Sequence, residues 1–116
     1  MTRGLAALAA ALLASAGART AHAADAATGK AVYDLRCAPC HGTTGAGDGP
    51  AAAALRPPPR NFRDLDFWRT RTPEQLHAIV KYGKPGTLMS PFDGVLSDAE
   101  IDDVVGYLKT FRPSGR

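Results

Sequence analysis

Apolar residues toward the C-terminal end recur at Ile101, Val104, Val105, Leu108 and Phe111, the three- and four-residue spacing that lays one apolar stripe along a helix. Ser97, with Glu100 three positions later, forms a capping box that opens this helix. A second helix is predicted from Thr72 as N-cap, with Pro73 at its first position and Gln75 completing another capping box. It buries Leu76, Ile79 and Val80, runs to about Tyr82 and stops at Gly83. A third and earlier helix is expected over about residues 29–38, capped by Thr28, with Val32, Tyr33 and Leu35 as its apolar positions. Gly29 either lets another helix cross closely or is a simple helix-start glycine.

The segments between these helices are rich in residues that break regular structure. Residues 42–50 hold four glycines in nine positions and read as a loop. They are not a nucleotide-binding loop, since no strand precedes them and no Gly-Lys-Ser/Thr ending follows. After one expected helical turn at residues 51–55, Pro57-Pro58-Pro59 forces an extended stretch. Phe62, Leu65, Phe67 and Trp68 anchor the irregular segment that follows. Residues 83–92 form a second Gly/Pro-punctuated loop, and Pro113 and Gly115 end the ordered chain.

At 116 residues the chain is one domain at most, and residues 1–23 read as an address. Arg3 opens a short basic region, residues 5–14 are an Ala/Leu run, and Ala21-His22-Ala23 is a small-x-small cleavage site. The expected mature protein is residues 24–116, exported to the periplasm. Ten apolar residues are half of what a membrane span needs, so membrane association is expected only through partner complexes or an uncleaved leader.

Loss of this leader changes the charge. The formal net charge of +3 includes Arg3 and Arg19, so twelve basic residues then face eleven acidic ones, net +1. No clustered basic face with aromatic platforms remains, which argues against nucleic-acid binding.

The chemistry is concentrated in Cys37-Ala38-Pro39-Cys40-His41. Cys-x-x-Cys-His is the sequence form of covalent haem attachment: two thiols add to the two vinyl groups and the adjacent imidazole binds iron. Structural zinc wants four ligands and commonly two such pairs, whereas Cys37 and Cys40 are the only cysteines. A redox dithiol expects a βαβ pattern around the motif, and no strand-period segment lies near.

Iron in haem has two axial positions, and His41 fills one. Met89 is the only methionine left after leader removal, and it sits in a loop between two helices. His77 lies beside the apolar stripe of its helix and reads as a surface residue. Methionine, histidine and an open site remain the alternatives, and an open site would turn the protein toward ligand binding or enzyme chemistry.

From residue 27 to 112 the sequence resembles the class I c-type cytochromes, small single-haem proteins. Gly29 and Tyr33 resemble the glycine/aromatic pair of the family's first helix, and Tyr107 resembles the aromatic of the last helix that packs on it. Gly49-Pro50 resembles the family's Gly-Pro, whose proline carbonyl accepts the proton on the far nitrogen of the haem-ligating histidine. Residues 86–92, Gly-Thr-Leu-Met-Ser-Pro-Phe, resemble the ligand loop Gly-Thr-x-Met-Pro-x-Phe, departing from it in having Ser90-Pro91 where the family has proline directly after methionine.

The resemblance implies an all-α, cytochrome c-like fold of three to five short helices and Gly/Pro-rich loops around one haem c. It implies Cys37, Cys40 and Pro50 as cofactor-binding residues, His41 and Met89 as iron ligands, and a one-electron carrier rather than an enzyme. Its partners would be redox proteins that dock transiently on a monomer. A haem enzyme or gas-binding protein with an open sixth position, and a subunit of an oxidase or dehydrogenase complex, are the competing readings.

Overall fold

A computed structural model describes residues 10–11 and 24–115. Apart from residues 10 and 11, the expected leader lies outside the described residues. The described residues form five helices and no strand: α1 (Ala26–Arg36), α2 (Ala38–His41), α3 (Leu65–Arg69), α4 (Pro73–Tyr82) and α5 (Asp98–Leu108). Short 3-10 turns at Ala52–Ala54 and Lys109–Phe111 complete the order. No helix among the described residues is long and apolar enough to cross a membrane.

The capping boxes form as the side-chain chemistry requires. Thr72 Oγ1 accepts from Gln75 N at 3.2 Å while Gln75 Oε1 accepts from Thr72 N at 2.9 Å. Ser97 and Glu100 exchange two bonds of 3.1 Å at the start of α5. Helix α4 stops at Gly83, whose φ of 75° is costly for any other residue type.

Helix α1 differs from the expectation at both ends. It begins three residues earlier, because the Asp25 carboxylate accepts from Ala27 N and Thr28 N and so displaces Thr28 as N-cap. It ends at Arg36 because Pro39 has no N–H to continue the ladder. A new helix, α2, restarts with Pro39 in its first turn, where no such donor is needed. Leu35, one of the apolar positions expected along this helix, is 69 % exposed. The aromatic segment expected to be irregular contains α3, capped by Asp64, which buries Phe67 and Trp68.

Helices α1 and α5 meet with almost no space between them at Gly29. A Cβ built there would stand 2.1 Å from the Asp103 carbonyl oxygen, so the close-crossing reading of this glycine holds. The Asp103 carboxylate, itself buried, accepts from Asp25 N at 2.8 Å and ties the start of α1 to α5. One turn on, the fully buried Tyr33 ring packs against Tyr107 at 5.3 Å and Phe111 at 5.2 Å. Its hydroxyl donates to the Gly42 carbonyl at 2.6 Å, joining the helix pair to the loop behind α2. Leu76 and Val80 of α4 close the core against Ile101, Val104 and Leu108 of α5.

Candidate haem cleft

Between these helices and the Pro-rich loop lies a largely apolar cleft of about 640 Å³. That is within the ~300–1,000 Å³ usual for cofactor pockets. Cys37, Cys40, His41 and Met89 all line it. Its apolar walls come from Phe62 and Phe67, from Leu76 and Val80 of α4, and from Val104 and Leu108 of α5.

Helix α2 places the first three of these residues. Cys40 N and His41 N both bond to the Cys37 carbonyl, at 3.2 and 2.9 Å, so the two sulfurs sit one turn apart. The thiols are not joined to each other. Burial, and then the neighbouring Cys40, push the Cys37 thiol up to about 12. A redox dithiol needs the opposite shift, toward thiolate, so this environment disfavours that chemistry.

The imidazole of His41 is held at two points. Its Nδ1 lies 3.1 Å from the Arg60 carbonyl oxygen, which can only accept, so Nδ1 carries the proton and Nε2 keeps its lone pair. Phe62 stacks on the ring at 4.5 Å with the planes 20° apart. Burial lowers the imidazole's proton affinity below its ordinary value, with the Arg60 hydrogen bond opposing. A neutral, oriented imidazole is the form that binds a metal.

The acceptor expected from the Gly-Pro resemblance was Pro50, and here the structure corrects the sequence. Gly49 N donates to the Cys40 carbonyl and Ala51 N to the Pro39 carbonyl, so this segment packs on the α2 backbone. A Cβ on Gly49 would come within 2.5 Å of both the Ala38 and Pro39 oxygens. Pro50 is left exposed and does not line the cleft. The Pro-rich stretch brings Arg60 to the imidazole instead. Because the group that does so is a backbone carbonyl, no side-chain signal marked it.

Met89 is half-buried in the loop after α4, as expected. The Thr87 hydroxyl donates to the Lys84 carbonyl at 2.8 Å and accepts from Met89 N at 3.1 Å, which fixes the methionine backbone. Phe92 N returns the loop to the Val80 carbonyl at 3.0 Å. His77 does not line the cleft. Its ring nitrogens lie 2.7 Å from Asp102 and 3.1 Å from Asp98, on the outer side of α4 and α5.

Four cations, Arg36, Arg60, Arg71 and Lys84, also line the cleft, against one carboxylate, Asp64. Desolvation, and then the charges of Arg60 and Arg71, hold the Lys84 ammonium below its ordinary value. Like charges beside an apolar cavity call for an anionic complement. Two thiols, a neutral imidazole, a thioether, apolar walls and this cationic group together fit haem, whose plate is apolar and whose two propionates are anionic.

Comparison with known proteins agrees with the cleft's composition. Residues 24–108 match the family described as cytochrome c oxidase, cbb3-type, subunit III. Cytochrome c-554(547) of Halothiobacillus neapolitanus is 32 % identical over 92 residues, covering 78 % of this chain and the whole of that protein. The dihydro-heme d1 dehydrogenase of Pseudomonas aeruginosa is 34 % identical over 83 residues, 71 % of this chain; the chain spans only 15 % of that enzyme's length. Among solved structures, the c-type cytochrome KustC0563 superposes with a TM-score of 0.61 at 25 % identity, over 73 % of this chain and 98 % of that one.

Proposed function

Because the chain belongs to the c-type cytochrome family described as cbb3-type oxidase subunit III, whose members bind haem c covalently, we propose that it is an exported one-electron carrier with His41 and Met89 as its axial ligands. One observation carries this reading: Cys37, Cys40, His41 and Met89 line a single apolar cleft. When bound, haem supplies one exchangeable electron at its iron.

The residues of the chain do the rest. Cys37 and Cys40 hold the group through thioethers. His41 offers Nε2, kept in that tautomer by the Arg60 carbonyl. Met89 offers a thioether sulfur, which paired with histidine raises the potential relative to two histidines. Phe62, Leu76, Val80 and Val104 keep water from the cleft, which acts in the same direction. Arg60, Arg71 and Lys84, on the cleft wall, would supply positive charge for the two propionates. The small, rigid helical frame limits rearrangement between oxidation states.

Export rests on the leader in residues 1–23, and N-terminal sequencing of the mature protein is expected to begin at Ala24. The carrier reading is tested by optical redox titration, which is expected to follow a single one-electron wave, with no carbon monoxide binding to the reduced protein. Rapid carbon monoxide binding would favour an open-site enzyme or gas-binding protein. A permanently docked subunit is the second reading, favoured by the description of the matched family and by the partial match to a dehydrogenase. Gel filtration of a native periplasmic extract separates it from a freely docking monomer.

A further inference from the structure

Trp68 does not line the cleft, yet it is buried and spends its only polar group on a single carbonyl. Its indole Nε1 donates to the Phe62 backbone oxygen at 2.6 Å. Phe62 is the residue whose ring stacks on His41, and Arg60, two positions earlier, is the residue whose carbonyl holds His41 Nδ1. The short strap of residues 60–62 thus touches the imidazole on its face and on its edge. On its other side the strap is pinned by Phe62 N donating to the Gly45 carbonyl at 2.7 Å and by the Trp68 indole.

We propose that Trp68 is a positioning residue for His41: its indole N–H fixes the strap that sets the ligand's plane and its Nδ1 hydrogen bond. The inference rests on the haem reading given above. A strong Nδ1–H···O=C bond makes the imidazole more basic and favours the ferric state. Loosening the strap weakens that bond and raises the potential. Water entering a damaged cleft acts oppositely, so the sign of the change separates the two causes.

The experiment uses the haem-loaded chain and its Trp68→Phe variant, which keeps the aromatic bulk and loses the donor. A pyridine haemochrome assay on the unaltered protein comes first, and absence of attached haem there defeats the haem reading rather than this inference. With haem attached, Trp68→Phe is expected to raise the midpoint potential. The ferric-to-ferrous ratio at fixed ambient potential should change about threefold, roughly 28 mV at 59 mV per tenfold.

The proton NMR pattern of the ferric haem methyls, which reports the ligand plane, should change with it. A variant that melts earlier but keeps both the potential and the methyl pattern overturns the proposal, as does a lowered potential. Should Trp68→Phe fail to fold, Phe62→Leu removes the face contact while leaving the carbonyl to the indole, and it must also alter the methyl pattern. An unchanged pattern there overturns the proposal equally.

Discussion

No side chain fits between Gly29 and Asp103, for the Asp103 carbonyl oxygen stands 2.1 Å from where a Gly29 Cβ would be. Alanine is the better helix former by about 0.8–1.0 kcal/mol, so on propensity alone Gly29→Ala would stabilise α1. The clash is with backbone, which cannot rotate away. Overpacking of this kind costs about 1–3 kcal/mol, and the upper end is expected here. Thermal unfolding of the haem-loaded variant should therefore show a midpoint lowered by on the order of 10 °C. An unchanged or raised midpoint would mean that the α1–α5 crossing is looser than described.

Tyr33 offers a gentler test of the same junction. Tyr33→Phe keeps the packing on Tyr107 and Phe111 and removes the hydroxyl that bonds the Gly42 carbonyl. Gly45 N reaches that same oxygen at 3.2 Å, so the acceptor is not stranded. A loss of about 0.5–1.5 kcal/mol by denaturant titration is expected, with haem attachment intact. A loss several times larger would indicate that the loop behind α2 depends on this one bond.

The acid side of the stability profile should involve Asp98. Hydrogen bonds from Lys81 at 2.9 Å and from His77 hold its carboxyl below its ordinary 3.8. A depressed carboxyl contributes stability that is present above its unfolded value and lost as pH falls through the folded one. Asp98→Asn should thus lower stability slightly near neutrality, with the difference closing below about pH 4. The pair is at the surface, so salt should shrink the difference too. A difference that persists at low pH would assign the effect to packing rather than charge.

Much of this fold was legible because the signals were local. The two capping boxes are complete within four residues each, and α5 buries Ile101, Val104, Val105 and Leu108 as its periodicity indicated, whereas α4 buries Leu76 and Val80 and leaves Ile79 half-buried on the cleft wall. The attachment motif is contiguous, and Met89 stood alone as a thioether in a loop between helices. What could not be read depended on residues far apart. Asp25 out-competed Thr28 as a cap because Asp103, on another helix, holds its backbone. The His41 acceptor moved from Pro50 to Arg60 because Gly49 packs on the α2 carbonyls. The strap formed by Arg60, Phe62 and Trp68 uses two backbone carbonyls that no sequence pattern distinguishes.

The claim on which the rest depends is that Met89 and His41 together ligate an attached haem. The optical spectrum of the oxidised protein tests it most directly, through the sulfur-to-iron charge-transfer band that only a bound thioether gives. The band should be present in the unaltered protein and absent in Met89→Ala, with haem still attached through Cys37 and Cys40, a lowered potential and new access for carbon monoxide. A Met89→Ala variant that keeps both the band and the potential would contradict the account.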